Sequence, residues 1–149
     1  MVNKIYESNI IKGWPIMNKL NVGIMNFEAF RQRTIAIAKG EYKPKKNEPK
    51  IWFNSIRAFS EVLCSENLTL LSIIDEMKPE TIKELVQYTG RAQSNLSRTL
   101  RTLEKYNIVG LEKIKTTIRP TAKVTKFHLD IDASNFRSHA IKNDKFKKT

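Results

Sequence analysis

Leu20, Val22 and Ile24 alternate with polar or small residues, which predicts a short strand with one buried face. Asn26 follows as an N-cap for a helix from Phe27 to Lys39, and Gly40 ends it. The segment Tyr42–Lys50, YKPKKNEPK, carries two prolines and four lysines, so it reads as a basic linker without regular structure. Beyond it, Ser55 caps a predicted helix from Ile56 to Leu63. Ser65 caps another from about Glu66 to Met77, with Leu70, Leu71, Ile74 and Met77 on its buried side. Pro79 breaks the chain. Thr81-Ile82-Lys83-Glu84 forms a capping box that starts a short helix ending at Gly90.

After a turn of two or three residues, the periodicity predicts a helix from about Gln93 to Tyr106. Ala92, Leu96, Leu100 and Leu103 form its apolar stripe, and Ser94, Arg98, Arg101 and Lys105 lie opposite. Val109–Lys115 and Lys123–Ile131 then read as two strands around a Thr-Thr-Ile-Arg-Pro tip. In the second, Phe127, Leu129 and Ile131 alternate with His128, Asp130 and Asp132. Residues 133–149 read as a basic tail, disordered or ordered by a partner. The organisation predicted is therefore a strand-helix appendage over 1–41, a linker over 42–50, a main domain over 51–132 and the tail.

Charge sharpens this picture. The 149 residues carry a formal +12, unevenly placed. Residues 51–89 hold three Lys/Arg against six Asp/Glu, whereas 90–126 hold nine against two. The cationic excess coincides with the last helix and the ribbon, a polarity that favours an anionic surface, with nucleic acid ahead of anionic lipid. No apolar run is long enough to span a bilayer and no secretory leader is legible, so the chain reads as soluble and cytoplasmic. The single cysteine, Cys64, excludes an internal disulfide and reads as a small core residue.

Two helices joined by a tight turn and followed by a two-stranded ribbon are the order of a winged helix-turn-helix, so the expected class is α+β, mainly α. In that arrangement helix 93–106 reads the major groove of double-stranded DNA and the wing, 113–123, lies over flanking backbone. Gln93 and Asn95 carry amides suited to an adenine edge, and Ser94 and Ser97 allow close backbone approach. Arg98 suits guanine or phosphate. Arg101 and Lys105 suit phosphates, Arg91 is a further DNA-binding candidate, and Lys113, Lys115 and Arg119 are the ribbon's candidates, with Pro120 stiffening the tip. Arg98, Arg101 and Lys105 repel one another at helical spacing, a cost of about 0.2–0.5 kcal/mol per pair that a polyanion offsets. A charged stripe is also what a solvated helix face looks like, and the helix dipole favours Lys105 without any ligand.

Catalysis finds no support. His128 and His139 are too far apart for a helical metal pair, and no phosphate-cradling glycine motif exists, so neither enzyme activity, metal nor cofactor is expected. His128 reads as a surface histidine, and Trp14, Trp52 and Phe53 as packing residues.

Residues Gly90–Val109, with Ser97-Arg98 and Leu103-Glu104, resemble the recognition segment of MarR-like and ArsR-like winged-helix transcriptional regulators. IAKGEYKPKKNEPKIWF together with TGRAQSNLSRTLRTLEKY is similar to a group of small bacterial winged-helix proteins predicted to be DNA-binding antitoxins. The resemblance runs from about Met17 to Ile131 and puts the expected start at Met17. It implies an autorepressor acting as a homodimer on a palindromic operator. The alternative it implies is an antitoxin whose main role is to bind and neutralise a toxin protein. Asn107 stands where such proteins have glycine, which implies a left-handed backbone there.

Overall fold

The computed structural model describes residues Lys19–Arg137; the expectations for 1–18 and 138–149, the start at Met17 and most of the tail included, lie outside them. The protein is α+β, and the described chain forms two compact units. One comprises Val62–Lys126; the other combines Leu20–Glu61 with the residues from Phe127 onward.

The first unit is built on three helices and a hairpin. Helix α3, Ser65–Met77, buries Leu70, Leu71 and Ile74. Its N-cap is Cys64, half-buried and making no side-chain cap bond, so Ser65 does not cap it and Cys64 is not core. Met77, expected to be buried, is largely exposed at the last turn. Helix α4, Ile82–Thr89, starts where its capping box predicts, although the Glu84 carboxylate takes the amide before the cap, Glu80 N, in place of Thr81 N. The Thr81 hydroxyl accepts from Glu84 N at 3.1 Å, and Glu84 accepts from Glu80 N at 2.9 Å. Gly90 closes it at φ +71°, where its N–H donates to Val86 O. Helix α5, Gln93–Lys105, follows at once and buries Leu96, Leu100 and Leu103 completely. Ala92 is the uncapped N-cap and is exposed, so it does not belong to the apolar stripe.

Strands β3, Val109–Ile114, and β4, Thr117–Ala122, pair antiparallel with Ile114 opposite Thr117. The tip is thus Lys115-Thr116, and the stretch read as a tip, Thr-Thr-Ile-Arg-Pro, is mostly strand. Pro120, a turn-favouring residue, sits buried opposite Leu111 in a two-stranded ribbon, where each strand keeps an unpaired edge that tolerates proline.

The second unit holds a three-stranded parallel sheet in the order β2-β1-β5, from β1, Leu20–Ile24, β2, Ile51–Phe53, and β5, Phe127–Asp130. Helix α1, Phe27–Ala38, crosses over from β1 to β2, and α2, Ile56–Val62, follows β2. Asn26 caps α1 as expected, accepting from Ala29 N at 2.8 Å, and Ser55 accepts from Ala58 N at 3.0 Å before α2. Parallel pairing corrects two boundaries. Strand β5 is not a wing strand: Leu20 lies beside Phe127 and Gly23 beside Asp130. Alternation shows that a strand has a buried face but not which strand it pairs with. Strand β2 likewise belongs with β1, Val22 beside Ile51, so residue 51 opens no separate domain.

Residues 42–50 have no helix or strand, yet they are not a free linker. Lys50 N donates to Asn21 O, the Asn21 amide donates to Asn47 O, and Arg33 holds Glu48 at 2.7 Å. Arg33 also lies over the rings of Tyr42 and Trp52, at 5.8 and 5.3 Å. After β5 the chain makes a 3-10 turn, Ala133–Phe136, tied back through Asn26 N to Asn135 O, so order extends past residue 132 into the segment read as tail.

Candidate nucleic-acid interface

The side of α5 opposite its leucines carries Ser94, Arg98, Arg101 and Lys105, whereas Gln93, three residues before Leu96, falls toward the leucine stripe in the first turn. Gln93, Ser94, Asn95, Arg98, Arg101 and Lys105 are exposed and Ser97 is half-buried. Ser94, Ser97, Arg98, Arg101 and Lys105 converge with Thr102 on one open groove of about 390 Å³. Their spacing of three or four residues places them on successive turns of one face. Thr102 escaped the sequence reading, although it stands four residues after Arg98; its hydroxyl donates to Arg98 O at 3.1 Å, so it shapes the groove more than it offers a donor.

Arg91 is placed differently. Its side chain turns inward, Nη2 donating to the Thr99 hydroxyl at 3.0 Å and Nη1 to Asn67 Oδ1 at 3.4 Å. Asn67, 8% exposed, in turn donates to Val62 O at 2.9 Å. These bonds tie the α4–α5 turn to the start of α3, a structural task that an exposed phosphate contact does not require. No local pattern in the sequence marks this role, because Thr99 lies eight residues from Arg91 and Asn67 comes from another helix.

On the hairpin, Lys113 and Lys115 are exposed. Arg119 is engaged: its Nη2 meets Glu112 Oε2 at 2.7 Å across the ladder, and that carboxylate pushes the guanidinium pKa further up. Lys123 Nζ donates to Asn107 Oδ1 at 2.7 Å. Asn107 adopts φ +61°, the left-handed backbone expected of it. Its N–H reaches Glu104 O and that of Ile108 reaches Leu103 O, the paired bonds of a Schellman ending. This tight stop sends the chain from α5 directly into β3.

Among the described residues, no cluster of His, Cys, Asp and Glu could hold a metal ion, and no helix is long and apolar enough to cross a membrane. His128 is exposed on β5. The cationic helix face and the hairpin thus belong to a compact unit of an α+β protein. Over residues 62–129, nearly the extent of that unit, the chain matches the model of the family described as HVO_A0114. No curated protein matches the chain.

Proposed function

We propose that residues 62–126 are a winged helix-turn-helix that binds double-stranded DNA in a sequence-specific manner, and that the protein is a transcriptional repressor of its own operon. The observation that carries this reading is the groove on α5, where three hydroxyl side chains and three cations converge with their backs to a fully buried leucine stripe. A helix so anchored can enter the major groove without rearrangement. Gln93, Ser94 and Asn95, in its first turn, would stand nearest base edges, and Arg98 would read guanine or phosphate. Arg101 and Lys105 would take phosphates, and Lys113 and Lys115 on the hairpin would hold flanking backbone. Arg119, already paired with Glu112, would contribute less charge.

Fluorescence anisotropy against the chain's own upstream region tests the reading. Tight binding to that duplex and weak binding to a scrambled one of equal length is the expected result; equal affinity for both removes the repressor.

A further inference from the structure

Helix α1 is apolar around much of its circumference, yet none of its residues is buried. Ala29, Arg33, Ala36 and Ile37 are half-buried, whereas Phe27 is 72% exposed, Phe30 39% and Ile35 36%. Apolar residues on both sides are the mark of a helix covered on both sides. Phe27, Phe30, Arg31, Thr34 and Ala38 line up at helical spacing along the open side, with Ile35 at its margin. Thr34 spends its hydroxyl on Phe30 O at 2.9 Å, and the exposed Arg31 guanidinium reaches toward Glu28 at 4.0 Å, along the edge of the stripe.

We propose that this stripe packs against the same stripe of a second copy, the two α1 helices running antiparallel about a two-fold axis. The residues at its two ends select that partner and that direction. Phe27 is large and Ala38 small, so an antiparallel pair sets each ring against the partner's Ala38, and Phe30 against the partner's Ile37. A parallel pair would crowd Phe27 on the partner's Phe27. Charge agrees with size. Glu28 and Lys39 are separated by about three turns, which puts them on the same edge of the stripe. An antiparallel two-fold brings like edges together, so each Glu28 carboxylate meets the partner's Lys39 ammonium, twice per dimer. A parallel pair instead sets Glu28 against the apolar edge of Phe30 and Ile37.

One helix face is smaller than the roughly 1,200–2,000 Å² of a standard stable interface, so the dimer is reversible and concentration-dependent. For a DNA-binding protein it supplies the second copy that a two-fold operator needs. That purpose rests on the proposed function; the pairing does not.

Sedimentation velocity of the full chain without DNA, from about 1 to 500 µM, should follow a monomer–dimer equilibrium. F30E should weaken it about tenfold or more. E28K and K39E should each weaken it, and the E28K/K39E double variant should recover the wild-type equilibrium because the two charges exchange places across the axis. Circular dichroism melts identify any variant that fails to fold, and F27A then replaces it. A wild-type chain that stays monomeric throughout, a dimer indifferent to both F30E and F27A, or a double variant no better than its parents would overturn the pairing. R98A separates this from the DNA reading: it should weaken specific binding in anisotropy by roughly five- to a hundredfold and leave sedimentation unchanged.

Discussion

The guanidinium of Arg91 stands 3.0 Å from the Thr99 hydroxyl, so the turn that enters α5 is fastened to the second turn of the same helix. Through Asn67 the fastening continues to Val62 O, and four parts of the chain share one polar network. Its centre, Asn67, is buried, where a lost partner costs more than a bond is worth in water. The cationic face of α5 is positioned by an arginine that does not belong to that face.

Arg91→Ala should therefore act on stability. It leaves Asn67 Oδ1 without its donor and should cost about 1–3 kcal/mol in urea denaturation. Arg91→Lys should recover little, because one ammonium cannot reproduce the two-armed reach to Thr99 and Asn67. If both variants unfold at the wild-type urea midpoint, the network is incidental.

The exposed cations should behave in the opposite way. Arg98→Ala should leave the melting temperature within a degree or two and cost about 1–3 kcal/mol on a specific site if Arg98 reads a base. Lys115→Ala should weaken all duplexes alike and make the slope of log affinity against log salt shallower by about one. Arg119→Ala should change the slope less, since Glu112 holds that guanidinium at 2.7 Å.

How α5 ends gives a third test. Asn107 holds φ +61°, which costs a residue with an ordinary Cβ about 1–2 kcal/mol and costs glycine nothing. Asn107→Ala should lose about that amount. Asn107→Gly forfeits the bond from Lys123 but relaxes the backbone, so of the three residues alanine should melt lowest. Equal melting of all three would show that the left-handed turn carries no strain.

Much of the helical unit was legible because its signals are local. Thr81 and Glu84, Gly90, and the spacing of Leu96, Leu100 and Leu103 each specify a cap or a face within one or two turns of chain. The parallel sheet was illegible for the complementary reason. Leu20 meets Phe127 across more than a hundred residues, and nothing in the alternation of Phe127, His128 and Leu129 distinguishes a wing strand from a strand beside β1. Proline at 120 suggests a turn in the sequence, since its tolerance within a strand depends on an edge that only the fold reveals. In the candidate site, the residue types and spacing placed Ser94 to Lys105 on one face. They could not show that Arg91 turns inward, since that depends on Asn67 arriving from another helix.

The turn after β5 should respond to acid. Asp132 accepts from the Ser134 hydroxyl at 2.7 Å and from Ser134 N at 2.9 Å, and these bonds hold its carboxyl below the ordinary value. Since the folded pKa lies below the unfolded one, the unfolded state binds more protons, and stability rises with pH across that window. The contribution is present above the unfolded pKa of about 3.8 and is lost as pH falls through the lower folded value. In an NMR titration the Ser134 amide should shift at a pH below that of a free aspartate. Asp132→Asn keeps an acceptor for the turn and should abolish the shift.

Gly23 carries the last prediction. It sits in β1, the central strand, beside Trp52 in the register with β2. The indole lies across the glycine: a methyl at residue 23 would overlap the Trp52 ring, and Pro49 Cγ would stand 2.8 Å away. The ring cannot simply withdraw, because Arg33 lies over it at 5.3 Å and is itself held by Glu48. An alanine there must displace the ring, the proline and the ion pair together, an overpacking that costs about 1–3 kcal/mol. Gly23→Ala should accordingly destabilise the chain and red-shift the Trp52 emission as the ring moves toward water. Trp52→Leu should suppress the penalty, so that Gly23→Ala costs less in that background than in the wild type. A penalty of equal size in both backgrounds would place the clash elsewhere.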